Sequence, residues 1–451
     1  MKNMNRDFIL TRSKHVIQGV LLVTIFFLIL AGSLFLWWWV RPSTYQVNSL
    51  LNLNTTNSWD AVTNGRHNAN TDLIYWNGHY YFIYANQPGN QGSTTTFLSV
   101  NRGTDLRIMT QIATLNVPGQ DIRDPKFAII KNNTTNETQL FIYYLKNNGV
   151  IADPYMTAVV NSSDGLHFSV AQDVSSASGW LMWRPKTYDN KTWYDTGYWY
   201  LKGQCILLSS TDGFTWTKVS AVYNASGNDE DEMEFYTTPT SLHGHPNIII
   251  TMRVEVEKDS VFGDVNAGTG LATAAWPYTS WNYTLDKVTR LDGPNLFTVN
   301  DSSNVTHYFA VGRFQPDVDS MFTAMGSVFS RKRTSLFEFV NLSSSKPALR
   351  YISDLPSTGD TAYEGVIVHS GCVYISYYSS DQKKDYAWVL GMLLPSDIYM
   401  VNISTTSLLN AAAQPLSPPF TVPWDNYLIV CANAGFIFAI MFWLVKKHTK
   451  K

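Results

Sequence analysis

The sequence predicts an all-β protein, and within that class a β-propeller of four-stranded blades, on three observations. Aromatic residues make up 14% of the chain and charged residues only 15%, and the abundance of Tyr, Trp, Phe, Val and Thr suits strands. Short strand-like runs bounded by Gly, Asn, Asp and Pro recur from about residue 59 to 409, with no long amphipathic helical period among them. Two stretches echo each other, Ser162-Ser163-Asp164-Gly165-Leu166-His167-Phe168 and Ser210-Thr211-Asp212-Gly213-Phe214-Thr215-Trp216, as repeated units do. At roughly 60 residues per blade six blades fit, and at roughly 75 five do, so six is the expectation and five the alternative.

Taken in order, residues 1–15 are a short basic terminus with Lys2, Arg6, Arg12 and Lys14. Residues 16–40 carry no charge and are long enough to cross ~30 Å of hydrocarbon as a transmembrane helix, with Trp37, Trp38 and Trp39 as an interfacial belt. That run exceeds the apolar core of a signal peptide, and no small-residue cleavage site follows Trp39. An Asn-rich linker, 41–58, leads into the propeller, 59–409. Its first hairpin is written in Asp72 to Tyr84, two strands joined by Asn77-Gly78. Further pairs follow through Phe127 to Ile130 with Leu140 to Tyr144, Ile248 to Val256, Tyr308 to Arg313, Leu336 to Val340 and Cys372 to Tyr378. A Pro-rich tether, 410–426, ends near Trp424 at the expected interface, and a second apolar segment, 427–445, precedes the basic tail 446–451. The flanking Lys and Arg residues place both termini in the cytoplasm, which makes the chain a two-pass cell-membrane protein with its propeller outside.

Charge bounds the partners. Setting aside the eight basic residues of the two tails and Asp7 from the totals of 33 and 35 leaves the outer domain near −9. Nucleic acid is excluded on that balance, and an anionic ligand would need a local arginine pocket. Twelve N-x-S/T triplets between Asn54 and Asn402 fit a glycosylated outer surface. Cys431 lies in the second apolar segment, and Cys205 and Cys372 either pair or are buried thiols. His243-Gly244-His245 has no further ligands at a recognisable spacing, so neither a metal nor another cofactor is expected.

The residues able to carry chemistry fall into three sets. In Gly359-Asp360-Thr361-Ala362-Tyr363-Glu364-Gly365 a Gly-flanked Tyr-Glu pair stands just ahead of a hairpin, where Tyr363 can sit at a loop mouth beside a carboxylate. Arg66, Arg123, Arg184, Arg253, Arg313 and Arg333 lie at loop edges, and in a propeller such edges converge on one face, where guanidinium groups can fork onto one carboxylate. Among the acids, Asp121 and Asp124 flank Arg123 ahead of a strand, and Pro125 biases Asp124 to an extended conformation. The run Asp229-Glu230-Asp231-Glu232-Met233-Glu234-Phe235 reads mostly as a solvated loop, with Glu234 the member that points inward.

Over about residues 59 to 400 the chain resembles the exo-α-sialidase-like propeller families. The segments carrying the likeness are Arg66-His67-Asn68, Asp121 to Lys126, Trp183-Arg184-Pro185-Lys186, Glu234 with Arg253, Arg290-Leu291-Asp292-Gly293-Pro294, Val311-Gly312-Arg313, Arg331 to Thr334 and Gly359 to Tyr378. The two Ser-x-Asp-Gly turns resemble that family's Asp-box, with one residue fewer between Asp and Gly. The resemblance implies Arg66, Arg253 and Arg313 as a triad holding a substrate carboxylate, Tyr363 as nucleophile, Glu234 as its base, and Asp121 or Asp124 as acid/base. Arg123, Arg184 and Asp72 would line the same pocket. The implied activity is removal of a terminal acidic sugar from extracellular glycans, by a neutral Tyr that avoids the repulsion an anionic nucleophile would meet. Two features depart from the family: Arg-His-Asn replaces an Arg-Ile-Pro type motif, and Glu364, directly after the Tyr, is a second candidate partner for it. A five-bladed furanosidase using Asp72, Asp124 and Glu234 is the rival hydrolase, and a non-catalytic glycan-binding or cell-envelope propeller is the third reading.

Overall fold

The computed structural model describes residues 14–30, 32–33, 48–54, 56–90, 92–133, 135–147, 156–199, 203–225, 227–242, 244–256, 260–316, 324–417, 435–443 and 446. They divide into two units, one from Met1–Pro42 with Thr421–Lys451 and one from Ser43–Phe420. In the first unit the run 14–30 is helical, and Phe26 meets Phe438 edge to face at 4.8 Å. Among the described residues no helix is long and apolar enough to cross a membrane. Trp37 to Trp39, Trp424, Cys431 and most of the tail lysines lie outside the described residues, so the two expected transmembrane helices are not seen.

The second unit is a six-bladed propeller, six sheets of four antiparallel strands each, and the five-bladed alternative is excluded. Each blade starts with its inner strand: β2 (His67–Trp76), β6 (Asp121–Lys131), β10 (Leu181–Met182), β14 (Asn228–Tyr236), β18 (Asp292–Asn300) and β22 (Thr361–His369). The sixth blade takes its outermost strand from the other end of the chain, β1 (Ser58–Val62) pairing with β24 (Asp397–Ser404) from Ser58↔Val401 onward. The Asn77-Gly78 hairpin forms as its sequence predicts, with φ 49 and 77 at the two turn residues, which matches the twist of the flanking strands.

The core lies between blades. Tyr81, Ile83, Leu98 and Val100 of the first blade pack on Phe127, Leu140, Ile142 and Tyr144 of the second. Both predicted Ser-x-Asp-Gly turns form and seal such interfaces. In the second, Gly213 N donates to Ser210 Oγ at 2.9 Å, and Phe214 N and Thr215 N both donate to Asp212 Oδ1 at 2.8 Å. Gly213 has φ 80 and leaves room for Phe141 of the neighbouring blade, 2.8 Å from where a Cβ would stand. A third copy, Thr187-Tyr188-Asp189-Asn190-Lys191-Thr192, makes the same bonds with Asn190, φ 54, in the place of the glycine.

Residues before β1 are not all free linker: Leu51 is buried in the cluster of Phe309, Leu336 and Ile375. The helix Thr405–Ala413, capped by Ser404, adds Leu408, Ala411 and Ala412 to the same cluster.

Candidate active site

Five of the six inner strands are bulged near their first residues, and each bulge holds a residue at positive φ. These are Asn70 (φ 50), Asp124 (φ 52), Glu230 (φ 33), Gly293 (φ 60) and Tyr363 (φ 52). A bulge turns a side chain out of the alternation of the strand, and the strain of four non-glycine residues there is held by contacts between blades. Asn70 Nδ2 donates to Asp124, and Gly293 N donates to Glu230 Oε2 at 2.6 Å. Thr71 Oγ1 donates to Tyr363 O at 2.9 Å, and Asn295 Nδ2 to Glu364 O at 3.0 Å. The third blade has the short inner strand β10 instead, and after it Trp183 sends Nε1 to Pro294 O at 3.1 Å. Asp124 is therefore not extended as Pro125 suggested; the bulge sets its backbone.

The Tyr363 hydroxyl donates to Glu230 Oε1, which also accepts from Arg253 Nη1 at 2.8 Å. Burial raises the phenol well above its ordinary pKa, Glu230 and Asp124 push the same way, and Arg313 and Arg253 oppose them. The partner is Glu230, where the sequence pointed to Glu234 or Glu364. Glu234 lies further along β14, bound to Lys186 Nζ at 2.9 Å. Glu364 is fully buried, its carboxyl oxygens accept no side-chain hydrogen bond among the described residues, and burial pushes its pKa up to about 8. The acidic run is not a solvated loop: Asp229, Glu230, Asp231 and Glu232 are all buried in β14. Cations of neighbouring elements make that tolerable, with Arg184 and Lys186 on Glu232 and Arg253 on Glu230.

Of the other predicted acids, Asp124 is half-buried beside Asn70. Burial raises its pKa to about 6 against the pull of Lys126 and Arg123, with Glu230 and Asp121 adding to the rise. Asp121 is consumed locally, accepting from Ser93 N at 3.0 Å, Thr96 Oγ1 at 2.8 Å and Arg123 Nε at 2.7 Å. Asp72 accepts from Phe127 N at 2.6 Å and from Arg184 Nη2 at 3.1 Å. Lys126 is buried with Nζ 4.2 Å above the Trp183 ring, and burial lowers its pKa.

The arginines divide. Arg66 is exposed, and its neighbour His67 is the buried, inward side chain, with Nε2 3.4 Å from Asp360. Arg333 is buried and forks onto Asp385 at 2.8 and 3.0 Å. Arg253 and Arg313 do converge beside Tyr363, joined by Arg290, which was not singled out as a site residue. All three surround Asp292: Arg290 Nε and Nη2 at 2.7 Å, Arg313 Nη1 at 3.1 Å and Arg253 Nε at 3.4 Å. Burial alone would raise the Asp292 carboxyl, yet Arg253, Arg290 and Arg313 hold it well below the usual carboxylate range. The repeated strand start, Arg-Asp-Pro at 123–125 and Asp-Gly-Pro at 292–294, was the available signal for this second set.

Cys205 and Cys372 are both free thiols. His245 Nδ1 lies 2.8 Å from the Tyr188 hydroxyl and its ring stacks on Trp276, while His243 lies outside the described residues. Among the described residues no three His, Cys, Asp or Glu side chains are grouped to hold a metal.

No protein-family model matches the sequence, and no curated protein matches it. Among solved structures the chain is similar to the Trypanosoma rangeli sialidase, with 12% identity over 78% of this chain and 57% of that one, at a TM-score of 0.54. It is likewise similar to a mutant α-L-arabinofuranosidase from Fusarium graminearum in complex with an iminosugar inhibitor, with 10% identity over 77% and 96% of the two chains and a TM-score of 0.51. The fold these structures share with the chain is the six-bladed propeller. The chain spans little more than half the length of the sialidase it matches, and at these identities the likeness is one of fold.

Proposed function

We propose that this propeller is a retaining glycoside hydrolase with Tyr363 as nucleophile, Glu230 as its base and Asp124 as the acid/base. The observation that carries the reading is the hydrogen bond from the Tyr363 hydroxyl to Glu230, made between the sixth and fourth blades at two strained bulges. In the first step the phenolic oxygen attacks the anomeric carbon while Glu230 takes its proton. The bond to the leaving oxygen breaks, and Asp124 gives that oxygen a proton. In the second step water attacks the same carbon, Asp124 takes the water's proton, and Tyr363 leaves with the proton returned by Glu230. Arg253 and the Gly293 amide fix Glu230 in place through both steps. The sialidase and arabinofuranosidase names of the similar structures agree with this class. An acidic sugar held by Arg66, Arg253 and Arg313 draws less support, because Arg66 is exposed.

Tyr363→Phe should lower kcat on a cleavable aryl glycoside by at least about 10³-fold with the melting temperature unchanged. Unaltered turnover would remove Tyr363 from the mechanism. Glycan binding without turnover by the wild type would favour the binding-module reading.

We also propose, from the apolar segments 16–40 and 427–445 and the basic residues flanking them, that the chain is anchored in the cell membrane with both termini cytoplasmic. The prediction is retention in the pellet after alkaline carbonate extraction and a mass loss on enzymatic deglycosylation; release into the supernatant would refute it.

A further inference from the structure

The arginine cluster is already occupied. Every nitrogen of the Arg290 guanidinium faces a protein carboxylate, Nε and Nη2 on Asp292 and Nη1 on Glu255. Arg313 sends Nε to Thr361 O at 2.8 Å, Nη1 to Asp292 at 3.1 Å, and Nη2 to Asp360 and the Tyr378 hydroxyl at 3.2 and 3.1 Å. Arg253 is divided among Glu230, Asp229, Glu255 and Asp292. Three cations thus face five carboxylates, and Asp292 takes the central place that a ligand carboxylate would need. Arg66, at the start of the first blade, is exposed, and the inward side chain beside it is His67, with Nε2 3.4 Å from Asp360.

Resting on the hydrolase reading above, we infer that the terminal sugar bound beside Tyr363 is a neutral one, and that Asp292 is the residue that excludes acidic sugars. An incoming carboxylate would have to displace Asp292 from a buried ion network and leave that charge uncompensated. It would also stand near Glu230 and Asp360, which the same arginines already serve. Sugar hydroxyls meet neither obstacle: they donate to the outlying carboxylate oxygens and accept from donors without displacing an anion.

Two measurements on the full chain test this. The first compares turnover of 4-methylumbelliferyl glycosides of neutral pentoses and hexoses with the 4-methylumbelliferyl glycoside of N-acetylneuraminic acid. The expected kcat/KM preference for a neutral reporter is at least about 100-fold, abolished by Tyr363→Phe. Preference for the acidic reporter overturns the inference, and neutral turnover that survives Tyr363→Phe overturns only the mechanism. The second titrates N-acetylneuraminic acid against arabinose and galactose on wild type and on Asp292→Asn. The substitution should tighten binding of the acidic sugar about 10-fold relative to the neutral ones. Should Asp292→Asn fail to fold, the wild-type titration decides, tighter neutral binding supporting the inference and tighter acidic binding overturning it. Neutral binding without turnover would count against the hydrolase alone, and binding of neither class would sink both.

Discussion

In the turns at Ser162 to Phe168 and Ser210 to Trp216 the left-handed position is a glycine, and the aspartate is satisfied by amides two and three residues on. At the mouth of the propeller the left-handed positions are Asn70, Asp124, Glu230 and Tyr363, and their side chains find partners more than fifty residues away. Both regions place aspartates at sharp backbone bends. The turn relieves strain with a residue that tolerates it, whereas the mouth keeps the strain and gains a side chain aimed out of the sheet. The difference separates structural aspartates from candidate catalytic ones without reference to any relative.

The separation can be broken by substitution. The larger effect is expected from Asp124→Asn: kcat should fall about 10²–10⁴-fold with little change in melting temperature. An acid must be protonated to act, and burial raises the Asp124 pKa to about 6, so wild-type activity should decline as pH rises through that value. The pH–rate profile of the variant should lack that limb; a limb that persists would assign it to another group. The smaller effect is the converse. Asp212→Ala removes the acceptor of the Phe214 and Thr215 amides and should cost about 1–3 kcal/mol in denaturant unfolding, with kcat per folded molecule unchanged. Loss of activity from Asp212→Ala at preserved stability would erase the distinction.

The same contrast explains what was legible in the sequence. The Asn77-Gly78 hairpin and the two Ser-x-Asp-Gly turns are local, so their residues name their own geometry. Tyr363 could be picked out because a Gly-flanked Tyr-Glu pair is also a local pattern, although the pair lies in the bulge of β22 and not in a loop ahead of it. Its partner could not. Strand alternation gives Glu230, Glu232 and Glu234 the same face, and only the bulge between Asp229 and Asp231 sends Glu230 to the mouth. The acidic run passed for a solvated loop because Arg184 and Lys186, which make its burial tolerable, belong to another blade. Arg66 came from the resemblance and its loop-edge place, but the inner strand begins one residue later, at His67, which is buried while Arg66 is exposed. Asp292 stands in the Arg290-to-Pro294 segment, but its role is not written there: three arginines meet on it only once the blades are arranged in a ring.

The closing strand carries a consequence in time. Ser58–Val62 emerges from the ribosome before any blade exists, yet its partner Asp397–Ser404 is among the last segments of the propeller to be made. Throughout synthesis of the intervening chain those early residues have no sheet to join, and the sixth blade keeps an open edge until they return. Completion of the ring is thus a single late event that joins the two ends of the propeller, and any delay in it prolongs the exposure of an unpaired strand.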